Sequence, residues 1–271
     1  MKPIVKWVGG KTQLLPEIKK LIPDTYNTYF EAFLGGGAVL FNLEPKKAII
    51  NDFNEELINL YQVIKNNPKE LIKDLKKHKN EKDYFYSIRE LDRNKEAYNK
   101  LSDVERASRI LYLNKTCYNG LYRVNSSGEF NSPFGTYKNP LICDEKNILE
   151  LSNYFKKNNV KILNSDFTII MNYVKENDFV YLDPPYYPLT SSASFTGYNA
   201  NGFSEKDQIR LKKMCDSLNK KGVKFLLSNS NTDFIKELYK DYDIIIVKAK
   251  RYINSNGNDR NNCEEVLIKN Y

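Results

Sequence analysis

Thr28-Tyr29-Phe30-Glu31-Ala32-Phe33, then Leu34-Gly35-Gly36-Gly37, then Ala38-Val39-Leu40-Phe41-Asn42-Leu43, and finally Lys47-Ala48-Ile49-Ile50-Asn51-Asp52 is the stretch that decides the fold. Its first run is apolar and rich in aromatic and β-prone residues, which predicts a strand over Thr28–Phe33. The glycines predict a tight turn, Ala38–Leu43 a helix, and Lys47–Asn51 a second strand ending at Asp52. Strand, turn, helix, strand is the βαβ unit, whose strands lie parallel because the helix carries the chain back. Upstream, Thr12–Leu21 reads as a helix. Downstream, amphipathic helices follow at Glu55–Lys65, Lys69–His78, Asp83–Leu91 and Asp103–Cys117. A polar, aromatic, turn-rich stretch, Tyr118–Pro140, comes next. Alternation resumes with strands Val160–Leu163 and Asp178–Leu182, helix Ser204–Asn219, strand Val223–Leu227, helix Asp233–Tyr239, and strands Asp243–Val247 and Glu265–Ile268. The pattern predicts one α/β sheet domain, residues 1–56 and 159–271, interrupted by a mostly helical insertion over 57–158. Between Tyr187 and Phe203 lies a loop rich in Ser, Thr, Gly and Asn. It is long for a compact domain and reads as a functional loop or lid.

Composition narrows the class. The 271 residues suffice for one large core, and 41% hydrophobic with 28% charged residues is ordinary for a soluble globular chain. No secretory signal is visible and the apolar runs are too short to span a bilayer, so a cytoplasmic protein without membrane association is expected. Cys117, Cys143, Cys215 and Cys263 show no paired spacing, so neither a disulfide framework nor a metal site is expected. The single histidine, His78, sits in a Lys-rich helical stretch and reads as a solvated surface residue. That leaves no material for a Ser-His-Asp triad or a His-ligated metal. A net charge of +8 favours a polyanionic partner without deciding for one.

Chemistry concentrates in three places. Asp183-Pro184-Pro185-Tyr186 follows the strand Phe179-Val180-Tyr181-Leu182, at the carboxyl end, where open α/β sheets bind ligands. Asp183 offers one hydrogen-bond acceptor and the Pro184 carbonyl another, with no N–H on that proline to compete. Such a pair can hold an exocyclic amino group by its two hydrogens and aim the nitrogen lone pair. Tyr186 adds a flat face for a base. The second place is Phe33-Leu34-Gly35-Gly36-Gly37, preceded by Glu31. Alone it fits a nucleotide site, a dinucleotide site or a plain turn, although Leu40 in place of a third glycine breaks the G-x-G-x-x-G spacing. Asp52 at the end of the next strand can accept from ribose hydroxyls or cap the helix near Glu55. Third is Lys6-Trp7-Val8-Gly9-Gly10-Lys11, a turn able to meet phosphate but not a Walker loop. Asp166-Phe167 reads as a helix cap.

In this order, Lys-Trp-x-Gly-Gly-Lys, Phe-x-Gly-x-Gly, a helical insertion and Asp-Pro-Pro-Tyr, the chain resembles the Dam-type DNA adenine methyltransferases along essentially its whole length. Within them it is most similar to the Dam-like branch of the Dpn II restriction–modification system. The resemblance implies a Rossmann-like S-adenosylmethionine-dependent methyltransferase sheet, with the insertion as a target-recognition domain for double-stranded DNA. It implies that Trp7, Lys11, Asp52 and Asp183 contact S-adenosylmethionine, with Glu31, Phe33, Gly35, Gly37 and Asp166 lining the same pocket. The tetrad Asp183, Pro184, Pro185 and Tyr186 is then catalytic, acting on the N6 amine of an adenine flipped from the duplex. Tyr118-Asn119-Gly120-Leu121-Tyr122-Arg123 and Phe130-Asn131-Ser132-Pro133-Phe134-Gly135 resemble the family's recognition loop. By that likeness Arg123 reads a guanine and Lys6 contacts the first guanine. Leu121 and Pro133 touch a thymine methyl, Tyr118 enters the base stack, and Asn119 belongs to the DNA-contacting set. The implied site is GATC. Thr136 departs from relatives that often carry Arg there, so one phosphate contact is not expected. A cognate restriction endonuclease stays open as a partner, and a monomer is expected. Two other readings remain: a DNA-binding module without catalysis, and a different acceptor such as a cytosine amine, an RNA or a protein glutamine. The intact tetrad weighs against the first.

Overall fold

The computed structural model describes residues 1–189, 202–249 and 263–271. Seven strands in the described residues form one sheet in the order β3-β2-β1-β4-β5-β7-β6. They are β1 (Tyr29–Glu31), β2 (Ala48–Asp52), β3 (Lys161–Asn164), β4 (Phe179–Leu182), β5 (Lys224–Ser230), β6 (Asp243–Ala249) and β7 (Cys263–Lys269). The first five are mutually parallel, while β7 runs antiparallel between β5 and β6. Strand order reverses between β1 and β4, which opens a crevice at their carboxyl ends. In that pair Glu31 lies opposite Tyr181, so Asp183 leaves the sheet beside the start of the glycine turn.

Around the sheet run α1 (Leu15–Lys20), α2 (Ala38–Leu43), α3 (Glu55–Asn66), α4 (Pro68–Leu75), α5 (Lys82–Arg89), α6 (Lys95–Tyr98), α7 (Asp103–Thr116), α8 (Glu145–Lys157), α9 (Glu205–Lys220) and α10 (Asp233–Leu238). Strand side chains alternate between two cores, as a period of two requires. Tyr29, Phe179, Tyr181 and Leu226 meet the apolar faces of α3, α7 and α8. Phe30, Val180, Leu182 and Leu227 meet Leu211, Met214 and Leu218 of α9 and Ile235 of α10. Both faces being covered explains why β4 is a continuous apolar run. No helix among the described residues is long and apolar enough to cross a membrane.

The α/β reading holds, with local corrections. Helix α8 was not anticipated in the stretch after Pro140, although Ile148, Leu151 and Phe155 recur at helical spacing and the Asp144 side chain caps it. The expected helix Asp83–Leu91 ends at Arg89 and tightens into a 3-10 turn over Glu90–Arg93. Asp52 does not cap α3; Asn54 does, accepting from the Leu57 N–H, because it stands three residues ahead of that donor. His78 is not a solvated residue. Its ring stacks on Tyr112 with centroids 4.3 Å apart, and its nitrogens meet the Tyr84 and Ser108 hydroxyls at 2.9 and 3.0 Å. Helix α3 spans the expected division at residue 57, and α3, α7 and α8 share a core with the sheet, so the helical segment also covers one sheet face. The loop read as a lid falls largely on 190–201, outside the described residues.

Candidate active site

The crevice is a cleft of about 1480 Å³. Its floor is the glycine turn. Gly35 has φ +50°, and a Cβ there would lie 2.8 Å from Trp7 Cδ1, so only glycine lets the indole press against the turn. The Gly35 N–H donates to Asp52 Oδ2 at 2.8 Å and the Asn54 N–H to Oδ1 at 2.9 Å, which holds the carboxylate at the end of β2. Gly37 closes the turn and starts α2. Phe33 stacks on Phe167, while Asp166 caps the turn after β3 and pairs with Arg210 at 3.0 Å. Phe53, directly after Asp52, is 65% exposed along the cleft. Its position at the cleft makes it a candidate stacking surface, one that the sequence reading missed.

One buried and one half-buried carboxyl group set the electrostatics. Glu31, 2% exposed, accepts from the Tyr29 hydroxyl at 2.8 Å. Burial pushes its pKa up to about 8; the Tyr29 hydrogen bond opposes this and the nearby Asp183 charge adds to it. Asp183 pairs with Lys11 Nζ at 2.8 Å. Burial raises it to about 6 against the pull of Lys11. Burial also raises Asp52, opposed by its backbone N–H donors. Lys11 is further tied to the Gly9 carbonyl at 2.5 Å and lies 4.7 Å from the centre of the Tyr186 ring.

The tetrad itself is clamped from behind. Gln208 on α9 donates to the Pro185 carbonyl at 3.0 Å, and Asn229 on β5 accepts from the Tyr187 N–H at 3.1 Å. Ser230 donates to the Tyr187 carbonyl at 2.7 Å. The Tyr186 hydroxyl donates to Glu265 on β7 at 2.6 Å. Glu265, Gln208 and Asn229 were not singled out from the sequence. The available signal was polarity inside otherwise apolar elements, a pattern that singles out no role.

Beside the cleft, Tyr118, Asn119, Arg123 and Pro133 are exposed on one irregular hairpin, and Leu121 is half-buried. Its two sides pair at Val124 with Phe130 and at Cys117 with Phe134, and the Tyr118 N–H donates to the Pro133 carbonyl at 2.8 Å. Asn131 accepts from Arg123 Nε at 2.8 Å, which extends the guanidinium. Beneath lies a buried pair, Asp92 with Arg109 at 2.8 Å, and Asp92 also accepts the Phe130 N–H. Asn114 binds both backbone groups of Lys6 and the Gly120 carbonyl, fixing the start of the chain to this turn. Gly120 has φ +66°, and a Cβ there would strike the Lys6 stem at 2.5 Å. Tyr122 points the other way and stacks on Trp7, centroids 4.7 Å apart. The hairpin and the glycine turn therefore touch through one aromatic pair.

A largely parallel sheet with one antiparallel strand near its edge, ligand groups at the switch point and an acidic tetrad after β4 together define a Rossmann-like methyltransferase. The model of the D12 class of N6 adenine-specific DNA methyltransferases matches residues 7–253. Type II methyltransferase M1.LlaDCHI of Lactococcus lactis subsp. cremoris is 46% identical, with all of this chain and 96% of that protein covered. Type II methyltransferase M.MjaIII of Methanocaldococcus jannaschii is also 46% identical, covering 100% and 99%. A DNA adenine methylase of Haemophilus influenzae is 34% identical, covering 98% and 92%. The chain belongs to the D12 class of N6 adenine-specific DNA methyltransferases. It acts on DNA and uses S-adenosylmethionine as methyl donor.

Proposed function

We propose that the enzyme methylates the adenine of GATC in duplex DNA after flipping that base into the cleft, by direct in-line transfer. The observation that carries the chemistry is Asp183, half-buried at the cleft wall and paired with Lys11, with Pro184 and the Tyr186 ring lining the same wall. Asp183 accepts one hydrogen of the adenine amine and the Pro184 carbonyl the other, which turns the lone pair toward the cofactor side. Pro185 stiffens the turn, and Tyr186 stacks on the extruded base.

The cleft fits the cofactor on its own features. The glycine turn lies flat against Trp7 and Phe41 along the cleft, Asp52 presents a carboxylate, and Phe33 and Phe53 supply apolar rings. Glu31, a buried carboxyl with no cation paired to it among the described residues, suits a cationic ligand. When bound, S-adenosylmethionine supplies a methyl group activated on a sulfonium. Asp52 receives ribose hydroxyls, and Trp7, Gly35 and Gly37 shape the floor. Phe33 and Asp166 close the side, while Glu31, Lys11 and Asp183 face the charged end.

For recognition, residues 57–158 act as the target-recognition segment. Arg123 forks onto a guanine edge, Leu121 and Pro133 pack on a thymine methyl, and Lys6 meets the first guanine. Tyr118, 54% exposed at the base of the hairpin beside the Cys117–Phe134 pair, enters the stack to offset part of the flipping cost, and Asn119 follows it. Relatives named type II methyltransferases support a restriction–modification setting, with a cognate endonuclease cutting the same site. We place the enzyme in the cytoplasm as a monomer.

Incubation of duplexes with methyl-labelled S-adenosylmethionine, digestion to nucleosides and chromatography tests the reading. Label in N6-methyladenine, from GATC duplexes and not from permuted ones, is expected. Label in N4-methylcytosine overturns the acceptor, and equal labelling of permuted duplexes overturns the site.

A further inference from the structure

Stacking requires that the Tyr186 ring hold an angle as well as a place. Its backbone is fixed on both sides, by Gln208 at Pro185 and Asn229 at Tyr187, and both side chains are fully buried. Two side-chain torsions remain free. On one side the ring meets Lys11 Nζ, itself tied to Asp183 and Gly9. At its far end the hydroxyl donates to Glu265 Oε2 at 2.6 Å. Glu265 is 8% exposed in β7, among Val266, Leu267 and Ile268 at 0%. Its backbone position is set from both flanks, opposite Ser230 of β5 and Val247 of β6. A buried carboxyl in an apolar strand disfavours folding unless hydrogen-bonded, and strand formation does not require one. Burial, with Asp183 and Glu265 adding, holds the Tyr186 phenol far above its ordinary range, so it stays a donor.

We infer that Glu265 is a positioning residue for methyl transfer, gripping the Tyr186 hydroxyl so that the ring presents its face to the flipped base. This deepens the proposed function and rests on Tyr186 being the stacking surface. The contact joins β7 to the tetrad across 79 residues of chain. The ring angle thus depends on the antiparallel edge of the sheet as well as on the tetrad.

The test uses single-turnover methylation of a GATC duplex, fluorescence of 2-aminopurine at the target adenine, and cofactor affinity measured separately. Glu265→Ala should slow methylation by about tenfold or more, the effect of losing a buried hydrogen bond to a charged group. The 2-aminopurine signal should change with it, while cofactor affinity stays within about twofold. Glu265→Gln keeps an acceptor oxygen and should recover most of the rate. Tyr186→Phe removes the same bond from the other side and should match Glu265→Ala, with the double variant no slower than either. If Glu265→Ala melts at assay temperature, Tyr186→Phe carries the comparison. Wild-type rate and signal in Glu265→Ala, or a Gln variant as slow as the Ala one, overturn the inference. Wild-type rate in Tyr186→Ala instead overturns the stacking reading on which it rests.

Discussion

Cofactor binding should be linked to the ionisation of Glu31. This carboxyl is 2% exposed, hydrogen-bonded by Tyr29 and near a second acid, and its pKa is raised to about 8. A buried acid with a raised pKa binds its proton more tightly when folded. Its contribution to stability is present below the ordinary carboxylate range and is lost as pH rises toward 8. A cationic ligand beside it needs the charged form. At pH 6 only about 1% of the free protein carries that charge and at pH 8 about half does, so affinity should rise roughly fiftyfold across this window, about 2.3 kcal/mol. Asp183, at about 6, adds a second dependence only near and below pH 6. The cofactor's own α-amino group titrates near 7.7–8.0. The quantity to follow is therefore the ratio of wild-type to Glu31→Gln affinity, in which the ligand's titration cancels. Isothermal calorimetry at pH 6, 7 and 8, in buffers of differing ionisation heat, should show that ratio climbing about tenfold per unit up to pH 7. Nearly one proton should be released on binding at pH 7 by the wild type alone. A flat ratio, or equal proton release from both proteins, refutes the argument and removes Glu31 from contact with the cofactor's charge.

Asp183→Asn should lower single-turnover methylation by about a hundredfold or more, since the amide keeps one acceptor oxygen but adds donors and removes the charge; turnover within a fewfold of wild type excludes it from the chemistry. Arg123→Ala should cost roughly 1–3 kcal/mol of discrimination at one guanine. Competition binding with GATC and scrambled duplexes reads this directly, and equal weakening of both reassigns Arg123 to the backbone. Burial lowers the His78 pKa below its ordinary value, so the folded state favours the neutral ring. Thermal stability should be full above about pH 6.5 and decline as pH falls below it. His78→Gln should lose part of that dependence, and identical pH–melting curves would show that another group governs it.

What was legible in the sequence was periodic or chemically rare. The Phe30-to-Asp52 stretch shows its strand, turn and helix because each obeys a different local rule. The tetrad stands out because two prolines after an apolar strand have few other uses. The site behind these motifs was hidden because it is assembled from residues with no shared period. Asn114 sits one position from Lys115 on α7 and binds the backbone of Lys6, 108 residues away. In sequence it is one more asparagine in an Asn-rich chain. His78 misled because α4 ends at Leu75, and in the turn beyond it the lysines point outward while the His78 ring turns in toward Tyr112.

The same geometry gives the two halves a route by which they can couple. Trp7 presses on Gly35 at the floor of the cleft and stacks on Tyr122, whose neighbours Leu121 and Arg123 lie on the hairpin proposed to read DNA. Tyr122 in turn packs on Phe130, whose backbone is tied to the buried Asp92–Arg109 pair. Packed rings of this kind transmit displacement because interiors have little free volume to absorb it. If cofactor binding shifts the glycine turn, the displacement reaches the hairpin through this aromatic contact. Coupling by this route would act equally in both directions, so DNA seated on the hairpin would alter cofactor affinity by the same factor.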